Sequence, residues 1–229
     1  MKGKKKFFLI IRASLIALFI FMNVYLIFIK KHECLDTEVY PNTDPTPNIS
    51  KKKTVGQSFM AEKDYLSRIE IMLGTYTRTN NQDIFFQLRD INSNGEVLVQ
   101  KTFNASEVQD NLFHPIQFRP IRESKGKNYY FEFSSPLSTP KNSICAWMNK
   151  GNIYPAGEYF FRGSKKEGDL VFRAYSKRPV ITELDRIVRN YPGIFGKRWF
   201  LVVAIVFFEA IQLLVLLIII KAGKNALLH

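Results

Sequence analysis

Two long apolar runs lie near the two ends of the chain, and the residues between them are mostly polar. The first run covers residues 7–29 and the second covers residues 199–220. A helix of about 20 apolar residues crosses a hydrocarbon core of roughly 30 Å. We therefore predict two transmembrane α-helices that flank one domain. A cleaved signal peptide would have a shorter apolar stretch and small residues at its cleavage site, which the segment KKHECLD lacks.

Short stretches between the two runs alternate between apolar and polar side chains. In one of them Ile69, Ile71 and Leu73 are separated by Glu70 and Met72. A period of two with one apolar face is typical of antiparallel strands that are packed on one side. Turn-forming pairs such as Asn94-Gly95 separate the stretches. About eight or nine short strands over residues 55–176 predict an all-β domain, specifically a jelly-roll β-sandwich.

Two connectors join this domain to the apolar runs. Residues 30–54 contain Pro41, Pro45 and Pro47 and predict an extended tether. Residues 177–198 carry apolar residues at helical spacing and predict an amphipathic juxtamembrane connector, with packing on the β-domain as the alternative. The predicted order is a basic N-terminus (1–6), first span (7–29), tether (30–54), β-domain (55–176), connector (177–198), second span (199–220) and tail (221–229).

The formal net charge of +13 raises the question of nucleic-acid binding. Four lysines precede the first apolar run and two follow the second, so membrane topology explains part of the excess. The positive-inside rule then places both termini in the cytoplasm and the β-domain on the opposite side. Basic residues on the outer side weaken this orientation without reversing it; they are Lys30, Lys31, Lys197 and Arg198. We expect a plasma-membrane protein that binds no nucleic acid.

Polar side chains interrupt both apolar runs. Glu209 lies near the middle of the second run, where a carboxylate is costly unless it is neutral or paired. Gln212 follows three residues later on the same helical face, and Asn23 lies in the first run. We predict that Glu209, Gln212 and Asn23 form a seam that contacts the other span or another membrane protein.

The sequence lacks the usual motifs for catalysis and for soft-metal binding. Its two cysteines and three histidines have neither CxxC nor HxxxH spacing. It contains no GxSxG, phosphate-binding glycine loop or dinucleotide fingerprint. A disulfide between Cys34 and Cys145 stays open, because an oxidising compartment would allow it but Cys145 can equally be a core residue. We predict a protein that is not an enzyme and has no cofactor; the alternative is a glycan hydrolase or transferase with two convergent carboxylates.

Aromatic and amide side chains are concentrated in the segment CAWMNKGNIYPAGEYFFRG, residues 145–163. Proteins bind sugars with aromatic rings that face C–H groups and with polar groups that bond to hydroxyls. The candidate carbohydrate-binding residues are Trp147, Asn149, Asn152, Tyr154, Tyr159 and Arg162. The alternative is that Trp147 and Tyr159 are core residues of alternating strands. A structural calcium ion is chemically allowed, although no spacing selects among Asp83, Asp90, Asp110, Asn111 and Asp169.

Five stretches resemble the galactose-binding-like jelly-roll module of bacterial membrane proteins that assemble polysaccharides. They are GQSFMAEKDYLSRIEIMLGTYTR, DIFFQLRD, NASEVQDNLFHPIQFRPIRESKGKNYYFEFSS, YPAGEYFFRG and GDLVFRAY, all within residues 55–176. The resemblance implies recognition of a glycan or lipid-linked saccharide in the bacterial plasma membrane, beside a multi-spanning glycosyltransferase. The many spans and the acidic motif of such transferases are absent from this sequence. We therefore expect an accessory protein of cell-envelope polysaccharide assembly; the alternative is a structural subunit that binds no sugar.

Overall fold

The computed structural model describes residues 2–226 of the chain. Two compact units are present, and each is described separately. The β-unit comprises Glu33–Lys177, and the helical unit combines residues from both ends of the chain, Met1–His32 and Arg178–His229.

Thirteen strands are found among the described residues, and all of them pair in antiparallel fashion. They are β1 (Lys31–Val39), β2 (Asp44–Pro45), β3 (Val55–Met60), β4 (Leu66–Gly74), β5 (Asp83–Asp90), β6 (Glu96–Asn104), β7 (Leu112–Ile121), β8 (Asn128–Ser134), β9 (Cys145–Asn149), β10 (Tyr159–Phe161), β11 (Ser164–Lys166), β12 (Asp169–Leu170) and β13 (Phe172–Pro179). Sheet 1 has the order β1-β13-β4-β9-β12, with β7 paired to β4 and β2 paired to β9. Sheet 2 has the order β11-β10-β3-β8-β5-β6.

The all-β prediction for this region is confirmed, but the predicted number of strands is too small. The pairs between β2 and β9 and between β10 and β11 involve only two and three residues of each partner. Elements this short show no period-two pattern in the sequence. Strands β1, β2 and β11 were not predicted, and they account for most of the difference between the predicted and the observed number of strands.

The core between the two sheets is rich in phenylalanine. Phe59 and Phe131 on sheet 2 are fully buried, as is Phe172 on sheet 1. The ring centroid of Phe172 lies 5.3 Å from that of Phe131 and 5.5 Å from that of Phe59. Tilted and edge-to-face pairs of this kind add about 0.5–1.5 kcal/mol each beyond the burial of their area. Ile69 and Ile71, predicted to face inward on β4, are also fully buried.

Residues 30–54 differ from the predicted tether. They include strand β1, which is hydrogen-bonded to β13. Asp36 is buried and accepts hydrogen bonds from Ser176 Oγ at 2.6 Å and from Glu62 N at 2.7 Å. Ile49, beyond all three prolines, is fully buried. Two of the three buried positions of β1 hold polar side chains, Asp36 and Thr37, so the sequence gives only a weak apolar signal there. Most of the segment belongs to the β-unit.

The helical unit contains α1 (Lys2–Val24), followed by a π-helical turn (Tyr25–Ile29), α2 (Val180–Arg189) and α3 (Arg198–Ala226). Of the described residues, Trp199–Ile218 form one helix that is long and apolar enough to cross a membrane, with a mean hydropathy of 2.9. The first predicted span is helical, but its apolar stretch among the described residues is the shorter Ala13–Ile29. Length and composition therefore support one of the two predicted spans. The predicted tail, 221–229, lies partly outside the described residues.

Candidate functional site

A pocket of about 410 Å³ opens in the β-unit where strand β4 ends beside the start of β9. Two aromatic side chains reach it: Tyr76 is 41% exposed and Trp147 is half-buried. The volume falls in the usual range for small-ligand sites, roughly 300–1,000 Å³. The residues that line the pocket are Pro45, Gly74, Tyr76, Thr77, Asp110, Asn111, Cys145 and Trp147.

Gly74 allows the floor of this pocket to pack closely. A Cβ atom at this position would lie 2.9 Å from Cys145 Sγ and 3.3 Å from Trp147 Nε1. The Cys145 thiol donates to Gly74 O at 3.6 Å, and Cys145 is not joined to Cys34 by a disulfide. Burial raises the pKa of Cys145, so its thiol stays protonated at neutral pH and is a poor nucleophile.

A chain of hydrogen bonds fixes the orientation of Trp147. Its Nε1 donates to Asn111 Oδ1 at 2.7 Å, and Asn111 Nδ2 donates to Asp110 Oδ2 at 3.2 Å. The other carboxylate oxygen of Asp110 accepts from Thr75 N at 2.5 Å. A carboxylate has about four acceptor sites, so Asp110 retains capacity to accept hydrogen bonds from a ligand.

Tyr76 is held by contacts on two sides of its ring. Its hydroxyl donates to Asn48 Oδ1 at 2.7 Å, and the guanidinium carbon of Arg78 lies 4.8 Å from the ring centroid. Arg78 also donates to Ser143 O at 2.8 Å, which ties the loop that carries Tyr76 to the segment before β9. Burial raises the pKa of Tyr76, and its contact with Cys145 adds to this effect, so the hydroxyl remains a neutral donor.

Three residues of the pocket adopt left-handed backbone conformations although none is glycine. The φ angles are 58° at Tyr76, 53° at Thr77 and 60° at Asn111. Such conformations cost of order 1–3 kcal/mol each and tend to occur at ligand sites, where surrounding contacts impose them. Here they direct one aromatic ring, one hydroxyl and one amide into the same opening.

Of the six predicted carbohydrate-binding residues, Trp147 alone lines this pocket. Tyr159 is 3% exposed within the core, and burial raises its pKa to about 12. Asn149 is buried; its Nδ2 donates to Pro41 O at 2.9 Å and its Oδ1 accepts from Gly151 N at 2.8 Å. Tyr159 and Asn149 therefore contribute to packing and to a local turn.

The other three candidates lie elsewhere on the β-unit. Tyr154 packs its ring against the edge of Phe172 at 6.1 Å, and its hydroxyl accepts from Met60 N at 3.2 Å. Arg162 lies in the turn between β10 and β11 with a φ angle of 54°, and its guanidinium carbon is 5.2 Å from the centroid of Phe161. Asn152 lines a second, larger depression.

The second depression has a volume of about 610 Å³ and is lined mainly by charged and small residues. Lys150 Nζ lies 2.6 Å from Asp44 Oδ1, and Lys165 pairs with Glu158. No aromatic ring is found in its described lining, and two of its lysines are neutralised by neighbours. It is therefore less suited to stacking against a sugar than the pocket beside Trp147.

The predicted membrane seam is brought together only in part. Glu209 borders a groove of about 230 Å³ whose other lining residues are Val24, Ile27, Phe28, Val202, Ile205 and Val206. Asn23 instead donates to Phe19 O at 3.2 Å within its own helix. Gln212 is half-buried on α3. Glu209 therefore lies at the edge of an apolar groove between α3 and the end of the first helix.

The residues considered for calcium serve local hydrogen bonds. Asp90 accepts from Asn92 N at 2.8 Å and from Ser93 Oγ at 3.1 Å, which caps a turn. Asp83 accepts from Asn104 Nδ2 at 3.1 Å. Within residues 2–226, no group of three or more histidine, cysteine and acidic side chains is arranged to hold a metal ion.

The sequence did not identify Tyr76 and Thr77 as site residues. The available signal was the polar and aromatic run TYTRTNN directly after the apolar strand β4. Residues that follow a strand end are frequent ligand contacts, because loops carry function on a rigid scaffold. The left-handed conformations of these residues could not be inferred, since they depend on contacts with Asn48 and Ser143, far away in the sequence.

Comparison with known proteins gives only distant likenesses. No protein-family model matches the chain, and no curated protein matches it. A structure of the cysteine protease and lectin-like domains of Cwp84 from Clostridium difficile aligns with a TM-score of 0.44 and 10% identity over 64% of this chain and 36% of that chain. A Clostridial Cwp84 variant after propeptide cleavage has a TM-score of 0.44 and 11% identity, again over 64% of this chain, and over 40% of the variant.

A viral protein gives a still weaker likeness. The VP2 subviral particle of infectious bursal disease virus aligns with a TM-score of 0.22 and 12% identity over 73% of this chain and 42% of that chain. The chain thus spans well under two thirds of each of these proteins. TM-scores this low establish neither a shared fold nor a shared function.

Proposed function

We propose that this chain is a non-catalytic, membrane-anchored glycan-binding protein that serves cell-envelope polysaccharide assembly. The supporting observation is the pocket beside β4, which combines the rings of Tyr76 and Trp147 with the oxygen and nitrogen atoms of Asp110, Asn111 and Thr77. Aromatic rings pack against the C–H faces of sugars, and the polar groups bond to their hydroxyls.

The charge of the residues that line the pocket limits the class of sugar that it can bind. Among the described residues of its lining, Asp110 is the one acidic side chain, and no lysine or arginine is found there. A carboxylate accepts hydrogen bonds from sugar hydroxyls but repels other carboxylates and phosphates. The ligand is therefore a neutral saccharide, free or lipid-linked, rather than a uronic acid.

The membrane anchor is formed by two spans, α3 and the apolar part of the first helix. The length and composition of Trp199–Ile218 support the second span. The first span is proposed from the sequence, because its described apolar stretch, Ala13–Ile29, is shorter. Lysines near both termini favour a bacterial plasma-membrane topology with both termini in the cytoplasm and the β-unit outside. The partner is a multi-spanning glycosyltransferase, whose product the β-unit would bind.

A saccharide titration tests this function on the full-length chain in nanodiscs. The chain contains two tryptophans, so Trp199→Phe leaves Trp147 as the single reporter of the pocket. We expect neutral envelope oligosaccharides to change the Trp147 fluorescence and uronic acids to have no effect. Tyr76→Ala should weaken binding about tenfold, equivalent to about 1.4 kcal/mol, because one stacking ring is lost.

Phe85→Ala is the matched control for this experiment. Phe85 lies on β5 in sheet 2 and is 41% exposed, the same fraction as Tyr76. Its removal should leave the dissociation constant unchanged. If no envelope saccharide binds to the folded protein, the glycan-binding function is wrong, and the structural-subunit alternative is favoured.

A further inference from the structure

A basic and aromatic segment connects the end of α2 to the start of α3. Residues 186–199, RIVRNYPGIFGKRW, contain four basic residues and no acidic one, and we call them the juxtamembrane segment. Four of its large side chains are more than half exposed: Tyr191 (59%), Ile194 (56%), Phe195 (56%) and Trp199 (56%). Contiguous exposed apolar residues of this kind mark interaction sites.

The juxtamembrane segment has a defined backbone shape. Tyr191 N donates to Val188 O at 2.9 Å, and Lys197 N donates to Ile194 O at 3.1 Å. A Cβ atom on Gly196 would lie 2.2 Å from Tyr191 O, so this turn requires glycine. The ring of Phe195 packs edge-on against Phe200 with centroids 5.0 Å apart. Ile194 and Phe195 therefore project from an ordered turn at the start of α3.

The chemistry of the juxtamembrane segment matches a membrane–water boundary. It runs directly into Trp199–Ile218, the stretch that is apolar enough to cross a bilayer. Tryptophan and tyrosine are enriched at the headgroup level of membranes, where their rings are half in water. A basic residue close to an anionic lipid surface gains about 1 kcal/mol of attraction.

We propose that the juxtamembrane segment binds the anionic headgroups of phospholipids. Ile194, Phe195 and Trp199 lie at the boundary between headgroups and acyl chains, and the exposed Lys197 contacts the phosphates. The inference rests on the membrane anchoring in the proposed function. The positive-inside rule does not explain basic residues on the outer side of the membrane. Lipid binding explains them, because they bind the headgroups of the outer leaflet.

Hydrogen exchange in lipid nanodiscs tests this inference. The full-length chain is placed in phosphatidylcholine alone or with one third phosphatidylglycerol, and the exchange of the backbone amides of residues 189–197 is measured. We expect exchange to be about fivefold slower in the anionic discs, since one exposed cation contributes. High salt, about 0.5 M NaCl, should remove the difference because it screens charges at a surface.

Charge substitutions provide the control. Lys197→Gln should remove most of the dependence on phosphatidylglycerol. Lys51→Gln, at an exposed lysine of the β-unit, should preserve it. Equal exchange in both lipids, in a chain inserted into the discs, overturns the lipid-binding inference and leaves the anchoring intact. A folded chain that does not enter the discs overturns the anchoring, and the inference with it.

Discussion

At the scale of single residues, His114 makes the stability of the β-unit depend on pH. Its imidazole stacks on Phe103 with ring centroids 4.2 Å apart, where β7 of sheet 1 meets β6 of sheet 2. Burial lowers the pKa of His114, and the charge of Glu107 opposes this only in part. Since the unfolded chain then binds the proton more readily, stability is lost as the pH falls through the ordinary histidine range near 6.5.

We expect the free energy of unfolding to decrease between about pH 7.5 and pH 5, and His114→Phe to reduce that slope. Phenylalanine retains a ring against Phe103 but cannot take up a proton. Denaturant unfolding at a series of pH values measures the slope. Phe103→Leu is the control, because it weakens the stack and leaves the histidine in place. An unchanged slope in His114→Phe would assign the pH dependence to other groups.

At the scale of elements, a buried hydrogen-bond network joins β3 of sheet 2 to β12 of sheet 1. Gln57 Oε1 accepts from Leu170 N at 2.9 Å, and Gln57 Nε2 donates to Asp169 Oδ1 at 3.1 Å. Asp169 Oδ2 accepts from the amides of Ile153 at 2.9 Å and Tyr154 at 3.0 Å. Burial raises the pKa of Asp169, and these donors counteract that rise.

Asp169→Asn should lower the free energy of unfolding by about 1–3 kcal/mol, because its new amide group faces the amide of Gln57. Adding Gln57→Glu should restore part of this loss, since a carboxylate at position 57 accepts from both Leu170 N and the new amide. Denaturant unfolding of the single and double variants gives the coupling between the two sites. Asp83→Asn, at an exposed carboxylate, is the matched control and should change stability little. Purely additive effects would contradict this network.

The elements that the sequence predicts best are those in which apolar and polar residues alternate. Strand β4, Leu66–Gly74, contains the alternating stretch of Ile69, Ile71 and Leu73 from which a strand was predicted. Strand β1 is missed because Asp36 and Thr37 occupy buried positions that usually hold apolar residues. Their burial depends on partners such as Ser176, which no local pattern reveals.

One aromatic residue of the candidate site could be predicted from the sequence, but the arrangement of the residues that line the pocket could not. Trp147 was expected to contact a ligand and lies in the pocket. The side chains of Tyr159 and Asn149 are of types that equally suit sugar binding. The pleat of the strand and the turn after β9 direct them inward. Which aromatic residue faces solvent depends on strand register and on loop contacts, both of which are long-range.

At the scale of the whole molecule, Glu209 predicts an association within the membrane. This residue borders an apolar groove, and a carboxylate inside a bilayer is costly without a partner. A transmembrane helix of the proposed glycosyltransferase that presents a hydrogen-bond donor or a cation would satisfy it. We expect Glu209→Leu to reduce co-purification of that enzyme from native membranes severalfold, as measured by quantitative mass spectrometry.

Phe207→Leu is the control for this association. Phe207 lies on α3 near Glu209 and is 66% exposed, and its substitution keeps an apolar surface. It should leave co-purification unaltered. If Glu209→Leu retains every partner of the wild-type chain, Glu209 is not part of a protein contact in the membrane.

The first and last strands of the β-unit, β1 and β13, are hydrogen-bonded neighbours. The chain therefore enters and leaves this unit side by side, about 5 Å apart, the spacing of paired strands. A domain with adjacent ends behaves as a cassette, because it can replace a short loop between two helices without changing their separation. Such a cassette can pass between membrane proteins by a single insertion, and the helices on either side can diverge while the inserted domain is kept.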